Sequence, residues 1–490
     1  MKILFAASEA VPFIKTGGLG DVVGALAEAL KRQRHDVRVV LPKYRDIRQT
    51  PHPLTPLPFT LRVPLGGTEI PVRVWETRFG PRVPAYLIDS PLHFERDGVY
   101  CDAEGRDFAD NDVRYIVFSR AVLELCKAVG FRPDVLHTHD WQSGLVPALL
   151  ADAYRQDAFF IPTASVFSIH NLAYQGVFPK ETLGLAGLSW DSFTKEKLEF
   201  YDRINFLKAG VAFSQIITTV SPTYAREVQS EEFGRGVDGF LRLRTDRFFG
   251  VLNGLDTRVW NPARDPHLAK RYSAKSLGGR AACKEDLQKF AGLSVDPRAP
   301  IFGMVSRLDP QKGFDIVLDI LSEFIENGCQ AVFLGAGTPS YQAGLKTFAR
   351  KHPRRVASFH DFNEPLAHKI YGGIDVFLMP SRFEPCGLGQ LIALRYGAVP
   401  VVTPTGGLKD TVENVSADGQ AGVGFVADRV ETVFFRDALR RAVAFHGADP
   451  RRWREIQKRG MALTLDWTAS VARYLELYEK ARALKKAEAA

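Results

Sequence analysis

The chain has 490 residues, of which 46% are hydrophobic, and carries a formal net charge of +8. The length predicts two or three globular domains. No long run of Lys and Arg interleaves with aromatic residues, so we expect no nucleic-acid partner, and an anionic small substrate explains the charge as well. No uncharged run approaches the about 18 residues of a membrane span, so we expect no membrane association. The five cysteines are scattered without a C-x-x-C pair, which fits a reducing compartment and predicts a cytoplasmic protein.

The N-terminal residues predict a βαβ unit. An apolar strand at 2–8 is followed by a glycine-bearing loop at 15–21, a helix at about 21–34 and a second apolar strand at 37–41. Both strands are apolar on both faces, as in a parallel sheet covered by helices. Residues 50–90 are rich in proline, glycine and β-forming residues, which predicts an antiparallel insertion.

Three further apolar strands of this half run into polar residues. They are predicted at 135–137 before His139-Asp140, at 165–169 before His170-Asn171, and at 216–220 before Ser221-Pro222, where the proline suits a helix start.

The alternation of strands and helices breaks near residues 250–265, after a predicted strand and turn at 251–256. It then restarts, with helical segments between the strands, and the chain ends in a helical stretch at about 451–486. The strands of this second half are predicted at 301–305, 330–334, 356–359, 376–379 and 399–402. The pattern predicts an α/β fold with two Rossmann-like, doubly wound domains.

Two glycine-bearing turns stand out, at 15–21 and at 381–388. Each follows an apolar strand and precedes a predicted helix. Such turns direct backbone N–H groups and a helix N-terminus toward the carboxyl edge of a parallel sheet. One turn in each half therefore predicts two nucleotide-fold domains that face each other across a cleft.

Arg307 and Lys312 follow strand 301–305, where a strand ends and a helix begins. Arginine offers a fork for phosphate oxygens and lysine a point charge, so together they can hold a diphosphate leaving group. Two exposed loop cations are the structural alternative. The matching positions of Gly18 and Glu384 favour the functional interpretation.

Other residues at these strand ends also have structural alternatives. Asp21 suits a helix N-terminal carboxylate, and Lys15 suits a solvated loop lysine. A buried core histidine is the default for His170, but its place at the carboxyl edge, shared with Asp140, also suits a site. A carboxylate at Glu384 is costly unless it binds hydroxyls or cations.

Two clusters resemble metal sites. His137, His139 and Asp140 end a strand whose alternate side chains point to opposite faces, and no further ligand set stands nearby at a suitable spacing. Residues 110–112, Asp-Asn-Asp, have the D-x-D form that some sugar transferases use, but they directly precede a long helix and are interpreted as its cap. We predict no metal and no cofactor. Cys386 is interpreted as a small packed residue, because no base is recognisably paired with it.

Six motifs occur in order along the chain. They are Lys-Thr-Gly-Gly-Leu-Gly-Asp at 15–21, His-Thr-His-Asp-Trp at 137–141, Ile-His-Asn-Leu-Ala-Tyr-Gln-Gly at 169–176, Asn-Gly-Leu-Asp at 253–256, Ser-Arg-Leu-Asp-Pro-Gln-Lys-Gly at 306–313 and Ser-Arg-Phe-Glu-Pro-Cys-Gly-Leu at 381–388. With them the chain resembles bacterial glycogen synthase and plant starch synthase, from residue 1 to about 480. Any one motif is weak, whereas six in order are a strong signal.

The resemblance implies a GT-B glycosyltransferase. Such an enzyme moves glucose from ADP-glucose to the 4-hydroxyl at the non-reducing end of an α-1,4-glucan, such as glycogen or a maltooligosaccharide, with retention of configuration. The implied domains are an N-terminal acceptor-side domain at 1–250, a hinge at 251–262, a donor-side domain at 263–455 and a C-terminal helix at 456–490 that packs back on the first domain.

The resemblance also implies roles for individual residues. Arg307 and Lys312 hold the diphosphate, Glu384 meets the glucose hydroxyls, and Asp140 and His170 line the sugar site. The remaining implied substrate contacts are Lys15, Gly18, Asp21, Tyr100, Asn171, Asn253, Phe362, where the family stacks an aromatic ring on adenine, Cys386, Gly387 and Leu388.

The chain departs from the wider class at one motif. Many retaining GT-B enzymes carry E-x₇-E, but the position that pairs with Glu384 is Ile392, so ribose binding must come from elsewhere. Gly389 and residues 391–393 also differ from the polar or aromatic residues expected there. The reaction is therefore better defined than the donor, and UDP-glucose stays an alternative to ADP-glucose.

The implied reaction develops positive charge on the sugar ring and negative charge on the diphosphate, which fixed cations and helix N-termini stabilise. Retention usually needs a carboxylate nucleophile, and none of the motifs supplies an obvious one. The family suggests a front-face path instead, in which the leaving phosphate accepts the proton of the incoming hydroxyl and a backbone carbonyl near His170 supports the ring charge.

Two other protein classes suit the same fold. A catalytically silent glucan-binding or nucleotide-binding GT-B protein is distinguished by an assay with ADP-glucose and glycogen. A glucan phosphorylase requires lysine-bound pyridoxal phosphate, which is visible as an absorbance band.

Overall fold

We describe the protein from a computed structural model, in which residues 1–47, 50, 52–361 and 363–489 are described. The chain divides into two compact units. The first unit contains Met1–Gly254 and Trp467–Ala490, and the second contains Leu255–Asp466. Residues 456–466, which the sequence assigns to the returning C-terminal helix, therefore belong to the second unit.

The first unit alternates strands and helices along most of its length. Its strands are β1 (Lys2–Ala6), β2 (Asp36–Pro42), β3 (Thr55–Leu65), β4 (Thr68–Phe79), β5 (Val83–Asp89), β6 (Val135–His139), β7 (Ala164–Ile169), β8 (Val177–Pro179), β9 (Glu199–Phe200), β10 (Arg203–Asn205), β11 (Ile216–Thr219) and β12 (Phe248–Gly250). Its helices are α1 (Gly18–Arg32), α2 (Pro91–Phe94), α3 (Asn111–Ala128), α4 (Leu145–Ala151), α5 (Thr182–Ala186), α6 (Phe206–Phe213), α7 (Pro222–Glu227) and α8 (Asp238–Arg242).

The main sheet of this unit has the strand order β12-β11-β7-β6-β1-β2-β5-β4-β3. Strands β12 to β5 in this order pair in parallel, whereas β4 pairs antiparallel with both β3 and β5. The predicted antiparallel insertion at 50–90 is thus an extension of one sheet edge. The chain moves from β1 to one side through β2 and later returns to the other side at β6. The switch point where ligands bind in such sheets therefore lies between β1 and β6.

The second unit is built on a smaller, all-parallel sheet with the order β15-β14-β13-β16-β17-β18. Its switch point lies between β13 and β16. Its elements are α9 (Gly278–Phe290), β13 (Ile301–Val305), α10 (Phe314–Glu326), β14 (Gln330–Leu334), α11 (Pro339–Lys351), β15 (Val356–Phe359), α12 (Glu364–Gly373), β16 (Val376–Met379), α13 (Gly389–Tyr396), β17 (Val399–Val402), α14 (Gly406–Thr411), β18 (Phe425–Val426), α15 (Thr432–Ala448) and α16 (Pro450–Ala462). Five strands, β13 to β17, have the predicted bounds.

The last helix, α17 (Thr468–Ala489), returns to the first unit. Its Tyr474 and Tyr478 are buried in the core of that unit. The Tyr478 hydroxyl lies 2.8 Å from Nδ1 of His137, in the middle of the parallel sheet. The C-terminal helix is thereby tied to the strand that leads into Asp140.

Several predicted bounds differ from those observed: the first strand ends at Ala6 rather than at residue 8, and the C-terminal helical stretch is two helices, α16 and α17. Two further differences concern the glycine loop and the end of the first unit. Helix α1 begins at Gly18 rather than near residue 21, so the glycine loop itself forms the first helical turn. No strand forms at 251–256, and the strand β12 lies directly before this segment instead. Its parallel partner β11 ends at Thr219, so the residues after β12 have no strand to pair with.

The cores follow from the sequence pattern. In the first unit, the parallel strands and the inner faces of α1, α3 and α17 form one cluster of buried apolar side chains. In the second unit, helices cover both faces of the sheet, and two apolar clusters result. Among the described residues, no helix is long and apolar enough to cross a membrane.

Candidate active site

The glycine loop follows β1 and is held by a buried carboxylate, Glu9, which is only 3% exposed. Its Oε2 accepts hydrogen bonds from the backbone N–H groups of Thr16 (2.5 Å) and Gly17 (3.2 Å), and its Oε1 accepts from the hydroxyls of Thr16 and Tyr100, both at 2.6 Å. The carboxylate thus fixes the loop that opens α1. Sequence reasoning missed Glu9, although a carboxylate directly after a buried strand is an available signal.

The surface of this loop is open at its glycines. A Cβ atom added to Gly17 or Gly18 would meet no protein atom within 4 Å, so a ligand has room to approach the backbone there. Gly17 is the N-cap of α1 and no side chain caps the helix, so the first N–H groups of the helix point to this open side. Lys15 and Asp21 flank the loop and form an ion pair at 2.7 Å.

Asp140 follows β6 in a strained backbone conformation, with φ at 55° and ψ at 178°. Such a conformation is costly for a residue other than glycine and persists only where the surroundings impose it. The Asp140 carboxylate accepts a hydrogen bond from the backbone N–H of His170 at 2.7 Å. Burial raises the pKa of Asp140 to about 7, against the lowering effect of the N–H groups of His170 and Asn171. The negative charge of Glu9, at the neighbouring strand end, raises it further.

His170 lies at the end of β7 and is 8% exposed. Its Nε2 is 3.0 Å from Nδ1 of His139, the last residue of β6. Burial lowers the pKa of His170 to about 3, so the ring is neutral at any ordinary pH. Asn171 follows directly, and its Oδ1 accepts from the backbone N–H of Ala173 at 3.0 Å. Asp140, His170 and Asn171 are therefore brought together, as the sequence predicts for the carboxyl ends of adjacent parallel strands.

Two predicted contacts of this unit have other surroundings. The hydroxyl of Tyr100 is hydrogen-bonded to Glu9 and Ser8, at 2.6 and 2.7 Å, so these contacts support the glycine loop rather than reach a ligand. Asn253 lies at the end of the first unit, and its Oδ1 is buried without a hydrogen-bond partner among the described residues. No contact joins Asn253 to Asp140 or His170 within that part of the chain.

In the second unit, the loops after β13 and β16 interlock at the switch point. The side-chain amide of Gln311 donates to the carbonyl of Phe383 at 3.0 Å, and the backbone N–H of Arg382 donates to the carbonyl of Gln311 at 2.8 Å. The turn at residue 313 comes close to the second loop, since a Cβ on Gly313 would lie 2.2 Å from the carbonyl oxygen of Pro380. The two predicted motifs thus form one rigid surface.

The centre of this surface is a buried ion pair. Nζ of Lys312 lies 2.6 Å from Oε2 of Glu384, and their side chains are 15% and 7% exposed. The same Oε2 accepts from the hydroxyl of Ser381 at 3.0 Å. The pairing meets the expectation that a carboxylate in this turn needs a cation or a hydroxyl, because an unpaired buried charge is very costly.

Arg307 differs from Lys312 in its surroundings. Its side chain is exposed and its guanidinium makes no ion pair or hydrogen bond with any residue that the structure describes. An unengaged guanidinium in the same loop as a fixed ammonium group suits a doubly charged anion.

The turn that carries Glu384 continues into α13 and packs against a second glycine pair. The backbone N–H of Gly407 donates to the carbonyl of Glu384 at 3.0 Å. A Cβ on Gly406 would lie 1.9 Å from that same oxygen, so only glycine fits this approach. Cys386 is buried, as predicted for a packed residue. Gly387 has a φ of 77°, and Leu388 is the N-cap of α13.

Three remaining predictions concern metals and adenine. Asp110 is the N-cap residue of α3 but does not cap it; instead its carboxylate pairs with Arg96. Asp112 accepts from the hydroxyl of Thr182 at 2.9 Å. Across residues 1–47, 50, 52–361 and 363–489, no group of three or more His, Cys, Asp or Glu side chains is placed to hold a metal ion. Phe362 lies outside the described residues.

Two doubly wound α/β units, each with polar loops at its switch point, define a GT-B glycosyltransferase fold. Two family models match the chain: the starch synthase catalytic domain at residues 2–243 and glycosyl transferases group 1 at residues 299–444. A glycogen synthase of Syntrophotalea carbinolica is 44% identical over 98% of this chain and 99% of its own length. A glycogen synthase of Anaeromyxobacter dehalogenans is 47% identical over 98% and 99%, respectively.

Solved structures agree with these relatives. The catalytic domain of Arabidopsis thaliana starch synthase IV, bound to ADP and acarbose, has a TM-score of 0.92 and 34% identity, over 98% of this chain and 99% of that one. A Thermosynechococcus elongatus sucrose-phosphate synthase has a TM-score of 0.63 at 16% identity, over 99% and 100%, and shares the fold. The chain belongs to the glycogen and starch synthase family, and it is a glycosyltransferase that uses a glucan acceptor.

Proposed function

We propose that the protein transfers glucose from ADP-glucose to the 4-hydroxyl at the non-reducing end of an α-1,4-glucan, with retention of configuration. The observation that carries the proposal is the presence of two cations in the loop after β13: Lys312, which is fixed by Glu384, and Arg307, whose exposed guanidinium is unengaged among the described residues. These groups suit the diphosphate of a nucleotide-sugar donor, whose negative charge grows as the sugar leaves. The ADP bound to the Arabidopsis starch synthase IV domain supports ADP-glucose as that donor.

The proposed sugar site uses neutral hydrogen-bonding groups. His170 stays uncharged, and one carboxylate oxygen of Asp140 accepts a hydrogen bond from the backbone N–H of His170. With a pKa of about 7, Asp140 is a poor candidate for a permanently ionised nucleophile. This favours the front-face path, in which the leaving phosphate takes the proton of the acceptor hydroxyl and the backbone carbonyl beside His170 supports the ring charge.

Four further predicted contacts, at Gly18, Lys15, Asp21 and Glu384, keep their proposed roles in substrate binding. The open backbone at Gly18, with Lys15 beside it, suits an anionic group, and Asp21 positions Lys15 through their ion pair. Glu384 suits hydrogen bonding to glucose hydroxyls from a fixed position.

The test compares initial rates with ADP-glucose and with UDP-glucose on one glycogen sample, and reads the anomeric configuration of the new linkage by NMR. We expect faster transfer from ADP-glucose and an α-linked product. Faster transfer from UDP-glucose would overturn the donor assignment. Glucan binding without transfer from either donor would show a silent binding protein on this fold.

A further inference from the structure

The contact between His139 and His170 holds a single proton. Nδ1 of His139 and Nε2 of His170 are 3.0 Å apart, which is a hydrogen bond, and one ring must donate to the other. The strands that carry the two rings are neighbours in register, with His139 opposite Ser168. The contact therefore follows from the sheet itself.

Both rings are neutral, so each carries one proton. His139 is fully buried, and burial lowers its pKa well below the usual value, helped by the neighbouring rings of His137 and His170. His170 is neutral for the same reason, with burial as the cause. Knowing which ring donates in the shared contact thus fixes the proton position on both.

The second nitrogen of His139 decides between the two arrangements. Nε2 of His139 is buried and has no hydrogen-bond partner among the described residues. If His170 donated, His139 would carry its proton on Nε2, and this buried N–H group would have no hydrogen-bond acceptor. If His139 donates from Nδ1, only a lone pair is left without a partner. Among buried backbone groups an unpaired N–H is rarer than an under-used acceptor, and the same preference applied to this ring favours donation from Nδ1.

His139 cannot easily turn to another arrangement, because its ring is packed against two other rings. The ring of His137 lies against it at a centroid distance of 4.1 Å, and the ring of Phe5 at 5.1 Å. His137 is itself fixed by Tyr478 of α17 and by the hydroxyl of Ser168, at 2.8 and 2.7 Å. The donor is thus held in place by the core.

We infer that His139 is a positioning residue that donates from Nδ1 to Nε2 of His170 and so fixes His170 as the tautomer protonated on Nδ1. Nδ1 of His170 makes no hydrogen bond with any residue that the structure describes, and His170 is the one ring of this trio that is not fully buried. His170 therefore offers an N–H donor to an oxygen of the bound substrate. This last step rests on the proposed function, which places a sugar hydroxyl beside His170.

The direct test is NMR of the full-length protein labelled with ¹⁵N-histidine, with long-range correlation from ring protons to ring nitrogens. Protonated and bare ring nitrogens resonate far apart, and the signals of His170 are assigned by their loss in His170→Asn. We expect His170 protonated on Nδ1 and His139 protonated on Nδ1. A His170 ring protonated on Nε2 would overturn the inference. The result does not depend on activity, so it stays readable even if the proposed donor is wrong.

Kinetics of two substitutions at residue 139 give a second readout. His139→Asn can still donate an amide N–H near the position of Nδ1, whereas His139→Leu fills a similar volume without a donor. We expect about a tenfold loss of kcat with little change in KM for the leucine variant, and recovery of most of the loss in the asparagine variant. Equal losses in both variants would show that His139 serves packing alone.

Tyr44→Phe is the matched control, because it removes a buried hydrogen bond, to the hydroxyl of Tyr115 at 3.1 Å, from the core of the same unit without touching any of the three histidines. We expect its kcat to stay within about twofold of the wild type and its His170 tautomer to be unchanged. A loss of kcat as large as that of His139→Leu would overturn the positioning role.

Discussion

The two switch points of the molecule differ in the charge of the side chains that follow their strands. At the switch point of the first unit, the groups at the ends of β6 and β7 are buried: His170 and His139 are neutral, and the pKa of Asp140 is raised to about 7. The charged groups there, the Glu9 carboxylate and the Lys15–Asp21 ion pair, belong to the glycine loop after β1. At the switch point of the second unit, the groups are permanently charged: Lys312 is paired with Glu384, and Arg307 faces solvent. The same fold rule thus supports two kinds of recognition.

The difference suits the ligand that we propose for each edge. Hydroxyl groups of a sugar are recognised by hydrogen bonds whose directions are fixed, and burial of the donors and acceptors fixes them. A diphosphate is recognised by charge, and its charge rises during the reaction, so preformed cations contribute most there. The comparison predicts that substitutions in the second unit reduce catalysis more, whereas substitutions in the first unit also change stability and its pH dependence.

The largest expected effect comes from removing a cation of the second unit. Lys312→Ala and Arg307→Ala should each lower kcat by about two to four powers of ten, because each cation serves charge that develops in the transition state. Arg382→Ala is the matched control: Arg382 lies in the same loops but pairs with Asp315 at the surface. Steady-state rates of the three purified variants make the measurement. Near-normal turnover in folded Lys312→Ala and Arg307→Ala proteins would refute the assignment.

Glu384 should affect catalysis more than folding. Glu384→Gln keeps the shape of the side chain but leaves Lys312 without a counter-charge, and we expect kcat to fall about a hundredfold while the melting temperature changes by a few degrees. The measurement pairs kinetics with calorimetry on Glu384→Gln and Glu384→Ala. If both variants merely unfold, Glu384 is structural and its proposed contact with glucose hydroxyls is wrong.

A substitution at Glu9 tests whether the glycine loop of the first unit depends on the hydrogen bonds that this carboxylate accepts. In Glu9→Gln, one carboxylate oxygen becomes an amide NH₂ group, so either the backbone N–H groups of Thr16 and Gly17 lose their acceptor or the hydroxyls of Thr16 and Tyr100 must accept instead of donate. We expect the free energy of unfolding to fall by about 1–3 kcal/mol and KM for the donor to rise.

Urea titration and donor saturation curves check this prediction. Ser8→Ala is the control, since the Ser8 hydroxyl contacts only the Tyr100 end of the network, at 2.7 Å. A Glu9→Gln protein with unchanged stability and unchanged KM would mean that the loop holds its shape without the carboxylate.

The sequence predicted the parts of the fold that depend on local pattern. Strands such as Ile301–Val305 and Val399–Val402 were found to the residue, because buried runs of β-branched and apolar residues bounded by turns are readable locally. The same reasoning failed at residues 251–256, where an apolar segment has no partner strand beyond Thr219. Strand pairing is set by the whole sheet and cannot be read from one segment.

The candidate site was predictable to a similar degree. Asp140, His170, Lys312 and Glu384 could be found because each follows an apolar strand within a motif. Glu9 and His139 were missed as site residues, because their roles come from partners on other strands or loops. Glu9 meets Tyr100, which is 91 residues away, and His139 meets His170, 31 residues away. Strand register brings His139 and His170 together, whereas loop packing brings Tyr100 to Glu9, and neither can be read from a local segment.

The smallest expected effect is a shift in the pH dependence of stability at Asp140. The pKa of this carboxyl is 3.8 in an unfolded reference and about 7 in the folded protein, so between these values the folded state binds more protons. Its contribution to stability is therefore full below about pH 4 and is lost as the pH rises through 7.

Asp140→Asn cannot lose a proton, and asparagine tolerates a positive φ better than most residues. We expect the variant to gain about 2 kcal/mol of stability relative to wild type between pH 5 and pH 8, while its kcat falls. Calorimetry at the two pH values measures this difference. A stability difference that is the same at both would show that Asp140 is ionised in the folded protein at pH 5, and that the first switch point is as permanently charged as the second.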